Sequence, residues 1–181
     1  MTAYPFVLIT REMIEEAKRL IPSTRVYRTV ASRIDTLTGH LGEFVFAQYY
    51  YGDWRKHRVG SNKGEADFGD IEIKTSAFPF SERLNLLVRE DYARKRKPSL
   101  YVQIIIDVNS RQAQTIPVGT KAFICGCASS EEVDAAPKRD FGSKFGRAGG
   151  YKCHYISIKN LRPMTKLGFS EELTKKDSRK K

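Results

Sequence analysis

A chain of 181 residues fits one domain, and its 40% hydrophobic and 11% aromatic content excludes a wholly disordered protein. No run of residues approaches the roughly 18 apolar positions of a membrane-spanning helix, so no membrane contact is expected. The 32 Lys and Arg residues exceed the 21 Asp and Glu residues, giving a net charge of +11 that favours a polyanionic partner.

Two helices are predicted in the first third of the chain. Thr10 is expected to cap the first helix and Pro22 to end it, with apolar residues at helical spacing between them. The second helix is predicted over residues 36–51, where Leu41, Phe44, Val45 and Tyr49 recur at helical spacing.

Short strands are predicted next. Residues 54–59 have the pattern of an edge strand, and residues 84–88 form another apolar run. Between them, segments 65–68 and 71–75 flank Gly69-Asp70, a turn dipeptide that predicts a hairpin. Residues 89–97 indicate a basic helix that ends before Pro98.

The most apolar run, residues 100–108, predicts a central strand. Further elements expected after it are a strand over 118–125, a short helix with a Ser129–Glu132 capping box ended by Pro137, and a strand over 151–158. Together these elements predict one α/β domain over residues 1–174, with a mixed central β-sheet flanked by helices. Residues 175–181 predict a basic, disordered tail.

An acidic cluster with a lysine lies in the sequence Asp67-Phe-Gly-Asp-Ile-Glu72-Ile-Lys74. Glu72 and Lys74 are two residues apart on a predicted strand and share one face, while the intervening Ile residues anchor the other face. A hairpin would return Asp67 to the neighbourhood of Glu72. Converging carboxylates repel one another, and a hard divalent cation relieves that repulsion. The alternative is a surface hairpin with a Glu–Lys pair worth under about 1 kcal/mol.

These residues resemble the signature of the PD-(D/E)XK nuclease superfamily, whose proline before the aspartate is replaced here by Ala66. Glu43, on the helix before the strands, matches a glutamate that joins the metal site in that superfamily. The resemblance covers roughly residues 36–108 and implies a restriction-endonuclease-like core. Asp70 is a rival for the first carboxylate, and Glu65 is a possible additional ligand.

The same resemblance implies the roles of the site residues. Asp67, Glu72 and the carbonyl of Ile73 would hold Mg²⁺, for which Mn²⁺ would substitute, and Glu43 would bind a metal-bound water or a second metal. Lys74 would position the attacking water, and cleavage would leave 5′-phosphate and 3′-hydroxyl ends. Gln48 is read as either a supporting amide or an exposed side chain. Gln103 is read as either a partner of the site or a structural hydrogen-bonding group.

Nucleic acid, in particular DNA, is the partner that the charge and the resemblance imply. Basic or hydroxyl side chains expected to contact it are Arg55, Lys56, Arg58, Lys63, Thr75, Ser76, Arg94, Lys95, Lys144 and Arg147. A homodimer is expected if both strands of a duplex are cut, since one site cuts one strand at a time.

The three cysteines do not make a disulfide framework, and no signal-peptide pattern begins the chain, which together predict a cytoplasmic protein. Cys125, Cys127, Cys153 and His154 have the donor types of a zinc site but lack its usual spacing, and buried thiols are the preferred interpretation. The sequence therefore predicts a Mg²⁺-dependent endonuclease of restriction, repair or junction-resolving type. The alternatives are a non-catalytic nucleic-acid-binding protein on the same fold and a basic adaptor that binds other proteins.

Overall fold

The computed structural model describes residues 4–24, 33–61, 66–95, 97–141 and 151–164. The predicted tail over 175–181 lies outside these residues. The elements in chain order are β1 (Phe6–Leu8), α1 (Arg11–Thr24), α2 (Arg33–Tyr51), a 3-10 helix (Trp54–Lys56), β2 (Ile71–Phe78), β3 (Asn85–Arg89), α3 (Glu90–Lys95), β4 (Leu100–Asp107), β5 (Lys121–Ser129), α4 (Ser130–Ala135), β6 (Lys138–Asp140), β7 (Lys152–Ser157) and a 3-10 helix (Ile158–Asn160).

The strands form two sheets. The larger sheet has the order β1-β5-β4-β2, with β2 parallel to β4 and the other pairs antiparallel. The smaller sheet is antiparallel, with the order β3-β7-β6. The predicted α/β class with a mixed sheet and flanking helices is confirmed. None of the described helices is both long enough and apolar enough to cross a lipid bilayer.

Alternation along β4 places the larger sheet between two apolar cores. Val102, Ile104 and Ile106 belong to the core that contains the buried residues of α1 and α2. Tyr101 and Ile105 belong to the second core, which contains buried residues of β3, α3 and α4. Because neighbouring strand residues face opposite ways, the larger sheet separates the helical layer from the smaller sheet. Its outermost strand β2 pairs with β4 on one side, and among the described residues no other strand pairs with its outer edge, which is called here the open edge.

A β-bulge in β5 changes which side its residues face. Gln103 pairs with Gly126 but Ile104 pairs with Ile124, so Cys125 is an extra residue on this strand. Gly126 has φ of 126°, and a Cβ there would lie 2.7 Å from the carbonyl oxygen of Arg162, so this position favours glycine. As a result Cys125 lies in the core beside the smaller sheet, whereas Cys127 lies in the helical core.

The predicted edge strand over 54–59 is wrong. Residues 54–56 form a 3-10 helix, because the carboxylate of Asp53 accepts a hydrogen bond from the N–H of Arg55 at 3.0 Å. The ring of Trp54 lies 5.2 Å from that of Phe44, which fixes this turn against α2. Gln48 was expected to be a supporting amide of the site or an exposed side chain. Its side-chain oxygen instead accepts a hydrogen bond from the N–H of Trp54 at 3.2 Å.

Several helix ends differ from the prediction. Pro22 lies inside the last turn of α1, which continues to Thr24, because a proline in the last turn removes only one N–H of the ladder. The helix predicted over 89–97 begins later, since Arg89 still pairs with Cys153 as part of β3. The capping box is confirmed: Ser129 Oγ accepts the N–H of Glu132 at 3.2 Å, and Glu132 accepts the N–H of Ser129 at 2.6 Å.

Candidate active site

A glycine brings α2 onto β2. Gly42 packs against Thr75 so closely that any side chain at Gly42 would overlap the threonine. The residue that follows, Glu43, is thereby held beside the strand that carries Glu72 and Lys74. This contact also buries the hydroxyl of Thr75 on the helical side of the sheet, out of reach of a phosphate in this arrangement.

A two-residue turn returns Asp67 to the open edge of β2. Phe68 and Ile71 exchange backbone hydrogen bonds of 3.0 and 2.8 Å around Gly69-Asp70. Gly69 has φ of 59°, as the first central position of a type II′ turn requires. Beyond the turn, Oδ2 of Asp67 accepts the N–H of Ile73 at 2.8 Å. The side chain of Asp67 thus accepts the hydrogen bond that a backbone carbonyl would accept if the hairpin continued.

The backbone of Ile73 faces this open edge. Ile71 directs its N–H and carbonyl away from β4 and towards Phe68, and alternate residues of a strand point their backbone groups the same way. The carbonyl of Ile73 therefore points to the same edge as its N–H, beside the carboxylate of Asp67. The side chain of Ile73 is buried in the helical core.

Glu72 and Lys74 form an ion pair on the other face of β2. Oε1 of Glu72 lies 2.9 Å from Nζ of Lys74. The side chains are 13% and 27% exposed, so the pair is screened by solvent less than an ordinary surface pair. The Lys74 ammonium also lies 5.8 Å from the ring centroid of Tyr92 in α3.

The buried carboxyl of Glu43 has a strongly perturbed acidity. Burial, followed by the charges of Asp67 and Glu72, raises the pKa of Glu43 to about 9. Glu43 is consequently protonated at neutral pH while no cation is bound. Within the described residues, Oε2 of Glu43 and Oε2 of Glu72 are buried without a hydrogen-bond partner.

The carboxylate oxygens of this site are of the type that binds a hard divalent cation, but they are not arranged as a complete coordination shell. As placed, no three His, Cys, Asp or Glu side chains in the described part of the chain are grouped to hold a metal ion. Asp67 and Glu72 each have an oxygen engaged by a donor, Ile73 N–H and Lys74 respectively. The buried, unpartnered carboxylate oxygens of Glu43 and Glu72 are the groups that a cation would satisfy.

Other polar residues near the motif have structural partners. Asp70 turns away from Asp67: its carboxylate accepts the hydroxyl of Ser99, and its carbonyl accepts the N–H of Ser99 at 2.9 Å. Gln103, opposite Lys74 in β4, donates to the carbonyl of Ile104 at 2.9 Å, next to the bulge. Ser76 lies on the same face of β2 as Glu72 and Lys74. Glu65 lies outside the described residues.

The cysteines and His154 are not brought together. Cys125 and Cys127 lie in different cores, and burial raises their pKa values to about 12 and about 11, so both remain thiols. Cys153 is a buried free thiol on β7. His154 Nδ1 lies 3.3 Å from the carbonyl of Ala136.

Among the expected nucleic-acid contacts, Arg55 and Lys56 lie against aromatic rings, 4.7 Å from Trp54 and 5.6 Å from Tyr51. Glu90 forms ion pairs with Arg94, at 3.0 Å, and with Lys138, at 2.8 Å. The remaining described members, Arg58 and Lys95, are exposed. Lys63, Lys144 and Arg147 lie outside the described residues.

Sequence reasoning did not identify Tyr92 as a neighbour of the site, although it lies in the predicted basic helix. Arg89 lies 5.3 Å from its ring centroid and 5.2 Å from that of Tyr151. The charges of Asp67 and Glu72 act on Glu43, and Glu72 forms an ion pair with Lys74, whose ammonium lies beside the ring of Tyr92. Comparison with protein-family models, with curated proteins and with solved structures finds no match for the chain.

Proposed function

We propose that this protein is a metal-dependent endonuclease that hydrolyses phosphodiester bonds in DNA, on a restriction-endonuclease-like core. The observation that carries the proposal is the set of interactions that links these residues: Asp67 and Glu72 raise the pKa of Glu43, and Glu72 forms an ion pair with Lys74. These are the residues on which the resemblance to the PD-(D/E)XK motif rests. Acidic side chains with a nearby lysine are suited to a divalent cation and a phosphate.

The proposed ligands of Mg²⁺ are Asp67, Glu72 and the carbonyl of Ile73, with Glu43 bound to a water of the ion. The two buried carboxylate oxygens that lack partners, on Glu43 and Glu72, support this assignment. When bound, the cation supplies neutralisation of charge on the phosphate and lowers the pKa of a coordinated water.

Lys74 is proposed to orient the attacking water and to offset negative charge that develops on the phosphate. Its ion pair with Glu72, at 2.9 Å, holds the ammonium at the strand edge rather than in bulk solvent. Attack by the water oxygen forms a new P–O bond and breaks the bond to the 3′ oxygen. The water loses a proton and the leaving oxygen gains one, so a 5′-phosphate and a 3′-hydroxyl result.

The charge of the chain supports a nucleic-acid substrate. The net charge of +11 supplies the long-range attraction, and Lys56 and Arg58 are exposed cations suited to contacts with backbone phosphates. The few negative charges of the acidic site are outnumbered by the positive charges of the rest of the chain, so the protein as a whole attracts a polyanion. A homodimer is proposed for substrates in which both strands are cut.

The test is incubation of the protein with supercoiled plasmid, single-stranded DNA and a four-way junction, in Mg²⁺, Mn²⁺, Ca²⁺ or EDTA. We expect cleavage in Mg²⁺ and Mn²⁺ alone. Glu72→Gln and Lys74→Met should each lower the rate by at least about 100-fold, since each removes a group acting at the reacting phosphate.

A matched control is Lys121→Met, which removes an exposed lysine from β5. This change should leave the cleavage rate within about twofold of that of the unchanged protein, and thermal melts should show all three variants folded. If the protein binds these DNAs tightly but cuts none of them with either metal, the non-catalytic nucleic-acid-binding alternative replaces the proposal.

A further inference from the structure

Aromatic and cationic side chains alternate outward from the proposed site. Nζ of Lys74 lies 5.8 Å from the ring centroid of Tyr92, and Arg89 lies 5.3 Å from the same ring. Arg89 in turn lies 5.2 Å from the ring of Tyr151. We refer to Tyr92, Arg89 and Tyr151 as the aromatic platform. Its members come from α3, β3 and the residue before β7, so the fold assembles it from separate parts of the chain.

The Tyr92 ring is exposed rather than committed to a core. Its exposed fraction is 42%, whereas its neighbour Ala93 is buried in the core beside the smaller sheet. Arg89 donates two hydrogen bonds to Asp91, at 3.0 and 2.9 Å, which fix its guanidinium near both rings. An exposed ring flanked by cations combines a stacking surface with attraction for phosphate.

We infer that the aromatic platform stacks unpaired bases next to the phosphate held at Lys74, so that the substrate class is single-stranded DNA or duplex DNA with unpaired nucleotides. This inference deepens the proposed function and rests on it. In an intact duplex both faces of a base are covered by its stacked neighbours, so Tyr92 has no face to contact until a nucleotide is unpaired. Arg89 of the platform and Lys74 beside it meet the backbone of the same nucleotides.

Binding is measured by fluorescence anisotropy in EDTA, with a labelled oligothymidylate and a duplex of the same length. Tyr92→Leu keeps apolar volume but removes the ring, and should weaken single-strand binding by about 5- to 150-fold, the effect of losing one stacked base. Duplex binding should change by less than about twofold. Tyr92→Phe keeps the ring and should retain single-strand affinity.

The matched control is Phe6→Leu. Phe6 is 47% exposed and has Lys121 4.9 Å from its ring centroid, but it lies on β1, at the opposite edge of the larger sheet from β2. This variant should bind both DNAs as the unchanged protein does. A second readout uses an oligonucleotide that contains 2-aminopurine. The fluorescence of this base is quenched when the base stacks on an aromatic ring. Quenching should persist in Tyr92→Phe and disappear in Tyr92→Leu.

Unchanged single-strand binding in Tyr92→Leu, or an equal loss on duplex and single strand, would overturn the inference. Because these measurements contain no metal, they are independent of turnover. A protein that cuts DNA in Mg²⁺ while Tyr92→Leu binds normally would refute the platform and leave the endonuclease proposal intact. A protein that shows the expected binding differences but never cleaves would support the platform and refute the endonuclease.

Discussion

Gly42 in α2 packs directly against Thr75 in β2: a Cβ atom added to the glycine would lie 1.7 Å from Oγ1 of the threonine and 2.7 Å from its Cβ. The helix and strand approach this closely because position 42 has no side chain. Glu43, the next residue, is thereby brought to the position where Asp67 and Glu72 perturb its pKa. The missing side chain at Gly42 therefore determines both the close approach of α2 to β2 and the position of Glu43.

Gly42→Ala should separate α2 from β2. We expect a net loss of stability, because overpacking costs roughly 1–3 kcal/mol and outweighs the gain of about 1 kcal/mol in helix propensity. Cleavage should fall as well, since Glu43 is displaced. Gly39→Ala is the control in the same helix, with no described atom within 4 Å of the added Cβ. It should stabilise by about 0.5–1 kcal/mol. Urea unfolding of both variants checks this, and equal stabilities would contradict it.

Glu43→Gln should reveal the cost of burying Glu43 among carboxylates. The pKa of Glu43 is raised to about 9 in the folded protein, chiefly by burial, from an ordinary value of 4.5. Below pH 4.5 the group is protonated in both states and has no effect on stability. Between pH 4.5 and 9 the unfolded chain releases the proton while the folded protein keeps it, so stability falls as the pH rises. At pH 7 this loss is about 3 kcal/mol.

Thermal melts from pH 5 to pH 9 test whether the stability of the unchanged protein falls with pH relative to that of Glu43→Gln. The stability advantage of Glu43→Gln over the unchanged protein should grow with pH and be smallest at the acid end. Glu15→Gln, which replaces an exposed glutamate on α1, is measured beside it as the comparison for removing a glutamate charge. A Glu43→Gln advantage that is constant across the range would mean that the carboxyl of Glu43 titrates normally.

Local signals were enough to predict the parts of the fold that the chain specifies over a few residues. The helical spacing from Leu41 to Tyr49 predicts α2, and the Ser129–Glu132 pattern predicts α4 with its cap. The Gly69-Asp70 turn predicts the return of Asp67 to β2. The same turn brings Asp67 close to the backbone of Ile73, whereas Glu43 comes from a distant helix and was identified only through the family resemblance.

Long-range pairing limited the rest of the prediction. Strand β3 joins the smaller sheet because it pairs with β7, whose residues lie far along the chain, and no local pattern specifies that choice. The three-residue strands β1 and β6 are too short to show a period. The bulge at Cys125 depends on the partner strand β4, and the 3-10 helix at Trp54 depends on a side-chain cap that competes with strand formation.

A divalent cation should stabilise the folded protein through the carboxylates. A ligand at about 100 times its dissociation constant adds about 2.7 kcal/mol, provided that the unfolded chain does not bind it. We expect Mg²⁺ or Ca²⁺ to raise the melting temperature of the unchanged protein and of Glu15→Gln. Glu72→Gln should remove most of this increase. Scanning calorimetry at increasing cation concentration measures the effect, and an equal increase in Glu72→Gln would place the binding elsewhere.

Binding to nucleic acid should weaken steeply with salt. If about six to eight phosphates are neutralised, the affinity should fall by about three orders of magnitude between about 50 and 200 mM salt. Residues 175–181 contain five basic and one acidic residue, so removing them leaves +7 of the net +11. Their deletion should therefore lower the salt slope only modestly.

Titrations of the full chain and of a chain ending at residue 174, in EDTA, measure both slopes. Binding should persist in EDTA and in Ca²⁺, because the cations that contact phosphate and the carboxylates that hold the metal are different side chains. An affinity that does not depend on salt would contradict the nucleic-acid proposal, because releasing counterions from phosphates necessarily gives a salt slope. Binding that disappears with residues 175–181 would instead show that the folded domain, despite its +7, presents no surface that fits a phosphate backbone.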